Sequence, residues 1–211
     1  MHLSGRSLLR RTEKRECAVC YAGVSLTAEF CSRCGAHLKD PEAQALYIVD
    51  TATGLFNDRF LRPLLEDELA RVHDFGRTLG IVIVQPEETS PAPEGGSDDS
   101  DQVLKLTASA VANTLGDTDT PGVLSRRPPA LLALLPEADL NSTGATATTL
   151  MHAVDEALSG LAKRASVGIV CVFPGERIPA GAAIEAAQRA LRLQRPELLG
   201  RESAARPGPD W

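Results

Sequence analysis

The sequence predicts an α+β fold: a mixed β-sheet flanked by helices, preceded by a small cysteine-bearing segment. From about Gln44 to Arg195, apolar residues recur alternately at helix spacing and in short strand-like runs. A pair of short strands around Arg126-Arg127-Pro128-Pro129 breaks that alternation, which excludes a wholly parallel sheet. Ahead of this region, four of the five cysteines are gathered between positions 17 and 34. The chain has 211 residues, 43% hydrophobic and 24% charged, a composition that excludes a collagen-like or wholly disordered chain.

In chain order, Asn57 can cap a helix that carries Phe60, Leu61, Leu64, Leu65, Leu69, Val72 and Phe75 on one face. Gly76 is its stop, and Pro63 predicts that the regular part starts late. Leu79 to Val84 reads as a buried strand. Residues 86–101 hold six acidic residues, three prolines and two glycines with almost nothing to bury, and read as an acidic loop. A second helix is expected over Gln102 to Leu115, followed by two short strands within Pro121 to Leu135. A third helix is expected from Thr143 to Ala162, a strand from Ser166 to Phe173 and a last helix from Ala180 to Arg195, where Pro196 ends it. Residues 196–211 read as a disordered tail and residues 1–16 as a flexible basic arm.

Charge is unevenly placed. Residues 1–39 hold seven Lys or Arg against three Glu, net +4, so the other 172 residues carry −10 of the total −6. That balance argues against a protein whose whole surface binds nucleic acid or anionic lipid. With only 4% aromatics, a base-stacking platform is hard to assemble. The basic start is followed by only Ser7-Leu8-Leu9 before Arg10-Arg11, too short for a signal-peptide core, and no apolar run is long enough to span a bilayer. The expectation is a cytoplasmic protein with reduced thiols and no membrane partner.

Cys17-Ala18-Val19-Cys20 and Cys31-Ser32-Arg33-Cys34 are two C-x-x-C pairs ten residues apart. Two-residue spacing lets both sulfurs of a knuckle face one ion, so Cys17, Cys20, Cys31 and Cys34 are expected to hold a tetrahedral, structural Zn2+ in a ribbon over residues 17–38. Disulfides or a redox pair are the competing reading, which reduced thiols disfavour. Val19, Val24, Leu26 and Phe30 are its only candidate core. A metal would contribute about 10–16 kcal/mol to a segment of this kind. His37 is left at the surface because four thiolates complete the tetrahedron, and Cys171 reads as a buried core thiol.

Asp50-Thr51-Ala52-Thr53-Gly54-Leu55-Phe56-Asn57-Asp58-Arg59-Phe60-Leu61 resembles the D-x-L-T-G-L-x-N-R-R-x-F opening of GGDEF domains, the diguanylate cyclase family. Phe75-Gly76-Arg77, Leu134-Leu135-Pro136, Ser166-Val167-Gly168-Ile169-Val170 and Ala190-Leu191 resemble its later landmarks in the right order, so the resemblance covers residues 46–195. It implies the nucleotidyl cyclase-like fold and condensation of two GTP molecules through metal-binding carboxylates and a glycine turn. The residues at those positions depart from the pattern. Gln85 stands where the first metal aspartate belongs, and a neutral amide does not replace a carboxylate on a divalent ion. Counting back from Leu134-Leu135-Pro136 puts the signature turn at Arg127-Pro128-Pro129-Ala130-Leu131, without glycine, acid or, at the prolines, an N–H. The inhibitory R-x-x-D would lie at Thr118 to Pro121, which has no arginine. Asn57 matches a guanine-contacting asparagine but is equally an N-cap, and Asp50 and Arg59 are expected to persist as structural hydrogen-bond and ion-pair partners. Arg195 falls at a phosphate-contacting lysine position and equally reads as a cation at a helix C-terminus.

The expected function is therefore that of a degenerate GGDEF domain, a pseudoenzyme without catalytic residues. It would act as a regulatory and protein-interaction module in bacterial signalling, in motility or polarity control, with a partner the sequence does not identify. The first alternative is a non-catalytic sensor of GTP or cyclic di-GMP in the Asn57 region. The second is nucleic-acid binding through the ribbon and Arg6, Arg10, Arg11, Lys14 and Arg15.

Overall fold

The computed structural model describes residues 14–17, 23–31, 38–39, 48–89 and 99–200. Two short strands, β1 (Lys14–Glu16) and β2 (Gly23–Ser25), pair antiparallel. The larger unit contains α1 (Asp58–Phe75), β3 (Leu79–Glu88), α2 (Ser100–Thr114), β4 (Thr120–Arg126), β5 (Pro129–Pro136), α3 (Leu140–Ala157), β6 (Lys163–Val172), α4 (Ala180–Leu193) and β7 (Glu197–Leu199). Its five strands lie in the order β4-β5-β3-β6-β7. All neighbours are antiparallel except β6 and β7, so the sheet is mixed, as expected.

Helices cover both faces, which explains why the central strands read as unbroken apolar runs. Leu61, Leu65, Leu69 and Val72 of α1 pack with α4 on the face carrying Ile81, Ile83, Leu132, Leu134, Val170 and Val172. Leu104 and Val111 of α2 and Leu150 and Val154 of α3 cover the other face, over Val82, Val84, Leu131, Ala133 and Leu135. Side chains alternate between the two clusters along each strand, the period-2 rule of a pleated sheet. No helix among the described residues is long and apolar enough to cross a membrane.

Several element ends differ from expectation. α1 runs through Pro63 rather than starting after it, because its first turn is already fixed upstream. The Asn57 side chain accepts from the Phe60 N–H at 3.2 Å, and its carbonyl accepts from Leu61 at 2.9 Å. Gly76, at φ 66°, closes the helix in the left-handed region. α3 starts three residues early on a reciprocal cap, in which Asp139 accepts from Ser142 N–H at 2.8 Å and Ser142 Oγ accepts from Asp139 N–H at 2.9 Å. Glu197 to Leu199, assigned to the disordered tail, instead forms β7 beside Val170 to Val172, held by a two-point pair between Arg189 and Glu197 at 3.0 and 2.8 Å. Residues 201–211 lie outside the described residues.

The acidic loop also begins later than expected: Pro86, Glu87 and Glu88 continue β3 against Ala165, Arg164 and Lys163. The reason is geometric. Ala165 N–H points out of the β3–β6 ladder to Asp155 Oδ1 at 2.6 Å, so Ala165 and Pro86 are a non-hydrogen-bonded pair and the missing proline N–H costs that ladder nothing. The loop's other end starts α2 at Ser100, and residues 90–98 lie outside the described residues.

At Gly168 the sheet lies close against the backbone of α4. A Cβ there would sit 2.5 Å from Leu191 N and 2.6 Å from Ala187 O, both backbone atoms of α4. Gly168→Ala is expected to destabilise by about 1–3 kcal/mol, read from urea unfolding, because the helix must shift as a whole. An unchanged midpoint would mean that α4 does not rest on β6.

Candidate functional site

The end of the sheet that carries the departures from the signature is built by strand register. β3 and β5 pair from Leu79 opposite Pro136 to Val84 opposite Leu131. Continuing that register faces Gln85 with Ala130 and Pro86 with Pro129. Two facing prolines offer no donor to each other, so the ladder stops there and β3 goes on with β6 alone. Gln85 and Ala130 are thus the residues next to the last pair of the ladder, Val84 and Leu131, and the resemblance expects carboxylates at Gln85, Pro129 and Ala130. The turn between β4 and β5 is Arg127-Pro128, whose peptide bond is cis, with Arg126 paired to Pro129.

Beside this opening, residues 48–57 are pinned to β4: Phe56 O accepts from Val123 N–H at 2.7 Å. Asp50 organises the segment. It is 2% exposed and accepts from Ala52 N–H, Thr53 N–H and Thr53 Oγ1 at 3.1, 3.0 and 2.9 Å. Arg126 donates to it twice, from Nε at 2.7 Å and from a terminal nitrogen at 3.2 Å. Burial pushes the Asp50 carboxyl up, but the Arg126 hydrogen bond and charge, with the Thr53 contacts, outweigh it and hold the group below its ordinary value. The expectation for Asp50 as a structural partner holds, with Arg126 as its ion-pair partner; Arg59 is exposed on the first turn of α1. Arg126 was not singled out in the sequence. Its signal is an arginine that ends an apolar strand and must bring its charge to a partner.

Asn57 lies at 9% exposure with its side-chain oxygen on the α1 cap. Arg195 lies past the end of α4 and is exposed. A crevice of about 490 Å3 opens around the start of β6 and the end of α4, and Glu87, Asp155, Arg164, Ser166, Arg192 and Gln194 are among its lining residues. Two arginines face two carboxylates in it, so it has no excess of positive charge for a triphosphate. His73 and His152 are exposed on helices, and Cys171 is buried with its thiol donating to Ala138 O at 3.8 Å.

The cysteine segment is partly described. β1 runs into Cys17, and Phe30 and Cys31 follow the turn after β2. Cys17 and Cys31 are 0% and 2% exposed, whereas Leu26 and Phe30, expected in the core, are 44% and 58% exposed. Among the described residues of the segment, Cys17, Cys31, Val24 and Leu38 are buried, while Leu26 and Phe30 face outward. Such an interior fits soft-metal donors better than a hydrophobic core, which is the chemistry of a zinc knuckle pair. Cys20, Cys34 and His37 lie outside the described residues. Among the described residues no group of three or more His, Cys, Asp or Glu comes together.

The basic arm is corrected in part. Residues 14–16 form β1, and Arg15 turns inward to donate to Ala28 O at 3.5 Å and Leu38 O at 3.2 Å. A side chain spent on two backbone carbonyls is withdrawn from phosphate contact, which weakens the nucleic-acid alternative. Residues 1–13 lie outside the described residues.

No family model matches the sequence, and no curated protein matches it. Solved structures do. The GGDEF domain of DgcB from Caulobacter crescentus, in complex with c-di-GMP, is 19% identical with a TM-score of 0.58, over 72% of this chain and 92% of that one. The diguanylate cyclase SiaD from Pseudomonas aeruginosa, in complex with its activator SiaC, is 25% identical with a TM-score of 0.57, over 72% of this chain and 61% of that one. The FimX GGDEF domain from Pseudomonas aeruginosa is 16% identical with a TM-score of 0.57, over 72% of this chain and 98% of that one. The fold of the larger unit is the GGDEF fold.

Proposed function

We propose that this chain uses a GGDEF fold without cyclase chemistry and acts as a regulatory, protein-binding module in bacterial signalling, with a ribbon stapled by a structural zinc ion. The observation that carries the reading is that β3 and β5 stop pairing at Val84 and Leu131, directly before Gln85 and next to Pro128, Pro129 and Ala130. A two-metal or metal-assisted phosphoryl transfer needs carboxylates to hold the ion and donors to hold the phosphate. This opening offers an amide, a methyl group and two residues without N–H. The balanced charge of the neighbouring crevice supports the same reading. Protein binding draws support from SiaD, whose structure is a complex with a protein activator.

The full chain incubated with GTP and Mg2+ or Mn2+ is expected to form no cyclic di-GMP above a protein-free control. Product formation would overturn the reading. Calorimetric titration with GTP and cyclic di-GMP separates turnover from sensing: no heat is expected at high micromolar ligand, because the Asn57 side-chain oxygen is engaged by the α1 cap. Saturable heat would instead establish the sensor alternative.

A further inference from the structure

One edge of the sheet is only half paired. β7 meets β6 at Val170 to Val172, and from Lys163 to Ile169 β6 has β3 on one side and no strand on the other among the described residues. Two bonds show which backbone groups face that open side. Ala165 N–H turns out of the ladder to Asp155 Oδ1 at 2.6 Å, and Phe173 N–H, one residue past β6, turns out to Leu199 O at 2.9 Å. Outward orientation recurs at every second residue of an antiparallel ladder, so the N–H and C=O of Val167 and Ile169 share it.

This open stretch lies in the crevice of about 490 Å3, where Val167 is flanked by Met151 of α3 and Leu191 of α4. An unpaired row of backbone groups between apolar side chains is complementary to an extended peptide, which supplies the missing donors and acceptors and buries alternate side chains. The surrounding charges select the sign of that peptide. Lys163 is held by Glu88 and Arg189 by Glu197, and the Asp155 carboxylate is turned to Ala165 N–H. Glu87 stands opposite Arg164 in the β3–β6 register. Arg192, which lines the crevice, and Arg195, just past it, are exposed and join no ion pair among the described residues. We propose that the open edge of β6 is a docking site for an extended, acidic segment of a partner protein, which adds a strand beside Val167 and sets its carboxylates against Arg192 and Arg195. This deepens the protein-binding reading and rests on it.

The test is fluorescence anisotropy of a labelled, end-capped octapeptide of alternating glutamate and valine, titrated with the full chain, beside the same peptide with lysine in place of glutamate. The acidic peptide is expected to bind saturably and the lysine peptide about tenfold more weakly. Val167→Pro removes an outward N–H and leaves the β3 ladder intact, as Pro86 does opposite Ala165, and is expected to weaken the acidic peptide about tenfold. Arg192→Glu is expected to weaken it about tenfold as well, and alone decides if Val167→Pro lowers the urea midpoint. Lys105→Glu, exposed on α2, is the control and should match the wild type. No binding by the wild type, or undiminished binding by both variants, would overturn the docking site and leave the non-catalytic reading standing. A dimer in sedimentation that Val167→Pro abolishes would assign the edge to a second copy and overturn the peptide. Cyclic di-GMP formation would overturn the reading beneath, which the peptide titration does not touch.

Discussion

If the four cysteines hold zinc as proposed, adding a chelator to the full chain, or substituting Cys17→Ser, is expected to unfold the cysteine segment and leave the five-stranded sheet folded. Hydrogen exchange should show lost protection at Arg15, Val24 and Leu38, whose backbone or packing depends on the segment, and unchanged protection along β3 and β5. The effect is large because few apolar side chains are buried among the described residues of the segment. Cys17 and Cys31 occupy its interior, and Leu26 and Phe30 lie outside. A metal bound by four thiolates contributes about 10–16 kcal/mol, far more than burying Val24 and Leu38 can at about 1.5–3 kcal/mol each. Retained protection after chelation, with all four thiols reactive, would show that the segment folds without metal.

Breaking the buried pair of Asp50 and Arg126 is expected to have the next largest effect. Their side chains are 3% and 10% exposed and joined by two hydrogen bonds. Removing one partner strands the other, so Asp50→Asn or Arg126→Met is expected to lose about 3–5 kcal/mol in urea unfolding. Asp50→Asn combined with Arg126→Met should lose less than the sum of the two, since no charge is left stranded. The pH dependence follows from the direction of the shift. The folded Asp50 carboxyl titrates below its unfolded value, so its contribution is complete above the unfolded value of about 3.9 and is lost as pH falls through the lower, folded one. The stability gap between wild type and Asp50→Asn should therefore be constant from pH 5 to 7 and close below about pH 3.9. A gap unchanged down to the acid limb would mean that the contacts to Thr53, not the charge, carry the effect.

The parts of the fold that were legible in the sequence are those set by local chemistry. The leucine stripe and asparagine cap specify α1, and the leucines of Leu131 to Leu135 between Pro129 and Pro136 read as a strand. What was not legible depends on a partner distant in sequence. Pro86 ends a strand in any local reading, and only Ala165, turned away toward Asp155, makes it harmless. β7 is three residues long and exists because β6 offers it an edge. The same holds at the site. Gln85, Pro128, Pro129 and Ala130 could be placed by counting along the chain, whereas the partner of Asp50 lies 76 positions away, and the outward turn of Leu26 and Phe30 follows from cysteines taking the interior.

The facing prolines bear on reversibility. Gln85→Asp with Ala130→Glu would set two carboxylates at this end of β3 and β5, and two substitutions are a short step. Pro128 and Pro129 would still present no N–H to a phosphate, and Pro86 would still hold the strands apart on one side. The barrier to a phosphate cradle at this turn lies in the main chain, where changes of side-chain charge do not reach.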